Sequence, residues 1–202
     1  MDSRPTLNST YRWWIPLSYS SKAQPDIVQC GWIPEYSDQV NISLEATENQ
    51  WVIFNIDQVG LYITIKVGTL ISTLITWFVY VSLGYYRVNY DQNNWHLIIQ
   101  QLWEDPREIS VINRAQLIDD AFNLARTGLL DYTITLNLTH YLKLEVEYIP
   151  WRSAAAGLKF LDSMLCRTEI YGIFQVSWIS KMNVCFNWLI WGWCYRIMSS
   201  EW

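Results

Sequence analysis

The residues able to ligate a metal or move a proton are few and scattered. The chain has two histidines, His96 and His140, far apart in sequence. Neither lies in the HExxH spacing that puts two imidazoles one helical turn apart on a zinc ion. Zinc hydrolysis also needs a third ligand and a glutamate to activate the bound water. No catalytic residue and no metal ligand is therefore assigned, and His140 reads as a partly exposed helix histidine. Cys30, Cys166, Cys185 and Cys194 are too dispersed for a zinc ribbon and too few for a disulfide scaffold; their oxidation state stays open. Asp119 and Asp120 are adjacent, so on a helix they point about 100° apart and form no acid/base pair. They are expected to be solvated or capping. Glu145 and Glu147 fall in a helix connection, where a loop-surface or ion-pair role is expected. Ser18, Ser20 and Ser21 lack a Gly-x-Ser-x-Gly elbow, and there is no glycine-rich phosphate loop. Arg114 and Arg126 remain, because a guanidinium grips a peptide carboxylate in bidentate fashion. Pairing with Asp119, Asp120 or a helix end is their structural alternative.

Composition narrows the class. Of the 202 residues 51% are apolar and only 16% are charged, against about 25% charged in an ordinary soluble domain. Net charge is −5 with no basic run, which argues against nucleic-acid binding. The first residues, MDSRPTLNSTYRWW, carry no basic stretch followed by an apolar one, so no signal peptide is read there. Sequons at Asn8, Asn41 and Asn137 are glycosylation candidates.

The elements that must position these residues are mostly helical in the second half. Val111, Ala115, Ile118, Phe122, Ala125 and Leu129 recur at steps of three and four, predicting a helix over about 110–127. Ser110 is its expected cap and Gly128 its left-handed stop. Asp119, Asp120, Asn123 and Arg126 are its polar side. An earlier helix places Trp95, Ile98, Ile99 and Leu102 on one face, capped by Asn93 or Asn94 and stopped before Pro106. Asp131 should cap a helix over 132–142 with Ile134, Leu138 and Tyr141 inward. Pro150 should open another over 151–165, with Ala154, Leu158, Leu161 and Leu165 as its stripe. The first half reads as strands at 11–21, 41–46 and 50–56, with a loop over 22–37 punctuated by Pro25, Gly31 and Pro34. The QWVIFNI run is apolar on both faces, as in a buried strand.

The run RAQLIDDAFNLAR, from Arg114 to Arg126, is followed by Gly128 and Leu130-Asp131-Tyr132. With EYIPW (Glu147 to Trp151) and FLDSMLCRTEIYGIF (Phe160 to Phe174), it resembles the C-terminal region of zinc aminopeptidases of the aminopeptidase N family, which includes the endoplasmic-reticulum aminopeptidases. WIPLSY and WVIFNIDQ-G resemble the small β-sandwich before the helical domain of that family. The resemblance implies an α+β, mostly α architecture. The end of a small β-sandwich precedes the first antiparallel helix pairs of an α-solenoid of the HEAT/armadillo kind. It further implies a peptidase parent that uses zinc, takes peptide substrates and resides at a membrane or in the secretory pathway. The HExxH motif and the amine-binding loop of the family are absent from this sequence, so the chain alone is expected to be inactive and to hold no cofactor. The expected role is a non-catalytic C-terminal fragment that caps the active-site cavity and contacts peptide.

The resemblance breaks after Gly60 and resumes at Tyr85. Joining Val59-Gly60 to YYRVNYD restores a continuous family phrase, which marks 61–84 as an insert. From Val67 to Tyr86 it carries no charge, so it is long enough to span a bilayer as a helix. Its β-branched content equally suits an extra strand or hairpin. The clean rejoining points to translated non-coding sequence. The expected organisation is a sandwich remnant at 1–91, a partial helical domain at 92–175 and a divergent Trp-rich tail at 176–202. The alternative function is a membrane-anchored helical-repeat binding module with no peptidase role.

Overall fold

The computed structural model describes residues 14–35, 41–43, 49–58, 64–67, 74–80 and 87–176. Residues 61–63, 68–73 and 81–84 of the insert, and with them much of the expected Val67 to Tyr86 segment, the tail beyond Val176, Asn8, Cys185 and Cys194 lie outside the described residues.

Two sheets come first. Strands β1 (Ile15–Ser21), β2 (Gln24–Ile33) and β4 (Val52–Phe54) form an antiparallel sheet in the order β2-β1-β4. Strand β1 buries Ile15, Leu17 and Tyr19 in alternation, the period of a half-buried strand. All three residues of β4 are buried, as its two-sided apolar run requires. The second sheet has the order β3-β6-β5-β7, from β3 (Asn41–Ser43), β5 (Thr64–Val67), β6 (Leu74–Tyr80) and β7 (Arg87–Asn89). Strands β5 and β7 run parallel, with Thr64 opposite Arg87, and the other pairings are antiparallel.

Most of the loop expected over 22–37 is instead strand β2. Its Pro25 and Gly31 read as punctuation, yet β2 lies at a sheet edge, where a proline costs no ladder bond. Within the insert, β5 and β6 are extended and paired antiparallel. No helix among the described residues is long and apolar enough to cross a membrane.

Among the described residues helices α1 (Gln92–Glu104), α2 (Val111–Arg126), α3 (Tyr132–Leu138) and α4 (Tyr148–Leu165) follow, and residues 171–176 are helical as well. Helix α1 is capped by Asp91, not by Asn93 or Asn94. The Asp91 carboxylate accepts from Asn94 N at 2.7 Å, while Asn94 itself is buried. Ser110 caps α2, and Gly128 adopts φ 76° just beyond it, a conformation a Cβ would disfavour. The helix expected over 132–142 tightens at Thr139–Lys143 into a 3-10 turn. Pro150 sits in the first turn of α4, which starts two residues earlier.

One apolar core joins strands and helices. It contains Trp51, Ile53, Phe54, Trp95, Ile98, Leu102, Leu117, Ile118, Leu138, Tyr141, Trp151 and Leu158. Tyr90 bridges the layers, stacking on Phe54 and meeting the Trp95 edge with centroids 5.0 Å apart. Leu129, expected on the core face of α2, is exposed, because the turn at Gly128 carries it away. Helix α4 crosses α2 at Gly157, where a Cβ would fall 2.3 Å from Phe122 Cγ.

Candidate functional site

Polar side chains converge on three buried seams around α2, and of the four residues expected on its polar side Asp120 is buried in one of them. The first joins β4 to the helices. Strand β4 has β1 on one side and, among the described residues, no strand on the other. Side chains complete its backbone bonding. Asn94 pairs with Val52 as a strand neighbour would: its Oδ1 accepts from Val52 N at 2.9 Å and its Nδ2 donates to Val52 O at 2.8 Å. The Tyr90 hydroxyl accepts from Phe54 N, and Gln116 Nε2 donates to Phe54 O at 3.3 Å. Asn113 Oδ1 accepts from Asp57 N at 3.0 Å, and Gln101 Oε1 accepts from Trp51 Nε1. Asn55 and Asp57 both take positive φ, which these residue types tolerate better than others. A buried strand edge without such partners would leave several peptide groups unsatisfied, each costing about 1–3 kcal/mol.

The second seam is an ion pair. Arg114 and Glu145 are both buried and meet in bidentate fashion, Nε to Oε2 at 2.7 Å and Nη2 to Oε1 at 3.1 Å. Arg114 Nη1 also donates to the carbonyls of Pro106 and Ile109. Glu145 Oε1 further accepts from Val146 N and Glu147 N, each at 3.0 Å. Arg114 is thus turned inward and enclosed. Of the two roles expected for Glu145, the ion pair is found and the loop surface is not, because Glu145 is covered by its own connection. The adjacent Tyr141 hydroxyl is pushed above its usual range by burial and then by the Glu145 carboxylate.

The third seam ties β7 to α2. Arg87 Nη1 pairs with Asp119 Oδ2 and, at 3.1 Å, with Asp120 Oδ1; Asp120 Oδ2 accepts from Val88 N. Asp119 is half-exposed, but Asp120 is buried, which corrects its assignment to the solvated face. Burial pushes the Asp120 carboxyl up to about 7, against the opposing pull of the Val88 N–H and Arg87. Burial works against the Arg87 cation, yet its hydrogen bond and charge pairing with Asp119 raise it overall. Asn89 completes the seam, donating to Leu129 O and accepting from Trp95 Nε1.

The remaining sites stay apart. Arg126 is exposed at the far end of α2, its guanidinium 4.8 Å over the Phe160 ring. His96, His140 and Asn137 are exposed on separate elements, as are Cys30 and Cys166. Among the described residues no three of His, Cys, Asp and Glu come together to hold a metal ion. The buried seams escaped sequence reading because the partners that decide them lie far apart in sequence, Arg114 and Glu145 by 31 positions and Gln116 and Phe54 by 62. One signal was present: a charged residue at a core-facing step of an amphipathic helix implies a buried partner.

Seams of this kind define a scaffold, in which a small β layer is locked onto a helical layer. Residues 80–191 match the family model described as ERAP1-like C-terminal domain. Aminopeptidase N of Bos taurus is 36% identical over 82% of this chain, which covers 14% of that protein. Thyrotropin-releasing hormone-degrading ectoenzyme of Rattus norvegicus is 33% identical over 91% of this chain, covering 15% of its own length. Aminopeptidase N of Plutella xylostella reaches 48% identity over 46% of this chain and 10% of its own. The chain belongs to the aminopeptidase N family and corresponds to a C-terminal part of it. It spans about one seventh of the length of the first two relatives.

Proposed function

We propose that this chain is a non-catalytic C-terminal portion of a zinc metalloaminopeptidase. In the whole protein, zinc and the catalytic glutamate sit elsewhere, and amino acids are released from peptide N-termini. This portion caps the active-site cavity and contacts the peptide. The observation that carries the reading is the family match over 80–191 in a sequence whose two histidines stand outside any HExxH motif. Of the two candidate arginines, the exposure of Arg126 on α2 favours it over the enclosed Arg114 for contact with a peptide. The antiparallel helices α1 to α4 begin a solenoid of the HEAT/armadillo kind, with the sandwich remnant at 1–91, the helical portion at 92–175 and a separate tail at 176–202. The relatives' names favour a peptide partner and an ectoenzyme setting, at a membrane or in the secretory pathway, where Asn8, Asn41 and Asn137 are open to glycosylation.

The purified chain supplied with zinc should release no amino acid from aminoacyl-arylamides. Zinc-dependent release at a rate above a heat-treated control overturns the reading. A second reading, a membrane-anchored helical-repeat binding module, rests on the uncharged run from Val67 to Tyr86. Protease protection of one flank only, in microsomes, is its expected signature. A transcript lacking codons 61 to 84 would instead mark the insert as retained non-coding sequence.

A further inference from the structure

The seam between β7 and α2 contains one more carboxylate than it has cations. Arg87 is shared by Asp119, which is half-exposed, and Asp120, which is buried. Two ionised carboxylates on one guanidinium leave a net negative charge, and the buried position is the costlier place to keep it. A second feature points the same way. Gln116 lies one helical turn before Asp120, so the two share a face of α2. Its Nε2 is committed to Phe54 O, which fixes the amide so that Oε1 is left as a buried acceptor with no hydrogen-bond donor. A buried acceptor of that kind is costly unless a proton reaches it.

We propose that Asp120 retains its proton in the folded protein at near-neutral pH, donates it to Gln116 Oε1, and so forms a pH-sensitive latch between β7 and α2. In the protonated state Asp119 and Arg87 form a one-to-one ion pair. The Asp120 oxygens still accept from Arg87 Nη1 and Val88 N, and the orphan Oε1 is satisfied. Loss of the proton leaves Oε1 facing a carboxylate and the seam with an uncompensated charge. Burial, and then the Asp119 charge, push the Asp120 carboxyl up to about 7, while the Val88 N–H, Arg87 and the neighbouring Gln116 amide pull the other way. The charged groups facing Asp120 are Arg87 from β7 and Asp119 from its own helix. The other elements packed on α2 bring Asp57, which is exposed; Asp131, bonded to Thr133 N at the cap of α3; and Arg152, Lys159 and Asp162 on α4. Of that last group, Arg152 and Lys159 are exposed and Asp162 is bonded to Tyr171.

The test is a carboxyl-carbon NMR titration of the full chain labelled at aspartate, with urea unfolding of the wild type and of Asp120→Asn across the same pH range. An asparagine offers an N–H to Gln116 Oε1 and a carbonyl to Val88 N without titrating. The expected result is an Asp120 midpoint near neutrality and a wild-type urea midpoint that falls from about pH 4 to about pH 7. The urea midpoint of Asp120→Asn should stay level over that window. An Asp120 resonance that titrates in the ordinary carboxylate range overturns the proposal, and this measurement needs no variant. So does an Asp120→Asn protein that follows the wild-type pH dependence.

Discussion

Helix α2 carries two arginine seams that solve the burial of charge differently. At its start Arg114 meets one carboxylate, and guanidinium and carboxylate alike are filled by further backbone partners. Further along, Arg87 meets two carboxylates, and a buried amide oxygen nearby lacks a donor. The first is balanced in charge and in hydrogen bonds. The second is balanced in neither unless Asp120 holds a proton. An odd carboxylate on a shared cation makes a seam that pH can tune near neutrality.

The largest break in this comparison comes from the balanced seam. Glu145→Ala strands a buried guanidinium and frees two backbone N–H groups. We expect a loss of about 3–5 kcal/mol, read by urea unfolding, with the same loss at pH 5 and pH 8. Next is a packing change remote from either charge. Gly157→Ala drives a methyl into the Phe122 ring at the crossing of α2 and α4 and should cost about 1–3 kcal/mol, again without pH dependence. A Gly157→Ala protein with a strong pH slope would show that the seams do not act independently. For the unbalanced seam the sign follows from the raised Asp120 carboxyl. The folded state binds the proton more tightly than the unfolded chain, so its contribution is complete below about pH 4, declines through about pH 7, and is level above. The smallest effect belongs to Asp119→Asn. Its half-exposed ion pair is worth about 1 kcal/mol or less. Removing the like charge should nevertheless lower the Asp120 midpoint, which the same NMR titration reads.

Helix α2 was legible in the sequence because Ser110, the three-and-four spacing of Val111 to Ala125, and Gly128 are local signals that agree. Strand β4 was legible because its apolar residues occupy both faces. Strand β2 was not, since edge position is a property of the sheet and cannot be read from Pro25 and Gly31 themselves. The cap of α1 was misplaced by two or three residues because Asp91, Asn93 and Asn94 all favour helix starts. Only the fold shows that Asn94 is committed to Val52. The family of the chain was legible from its motifs. The burial of Arg114, Asp120 and Glu145 was not, because each is decided by a partner remote in sequence.

The side-chain amides along β4 have a kinetic consequence. The N–H groups of Val52 and Asp57 are held by Asn94 and Asn113, which lie on α1 and α2. That of Phe54 is held by Tyr90, which ends the approach to α1. None of these protons is shielded by a ladder neighbour on that side, so each exchanges with solvent when the helices lift away. Deuterium uptake at these three amides, two in β4 and one in the turn that follows it, thereby becomes a clock for the undocking of the helical layer.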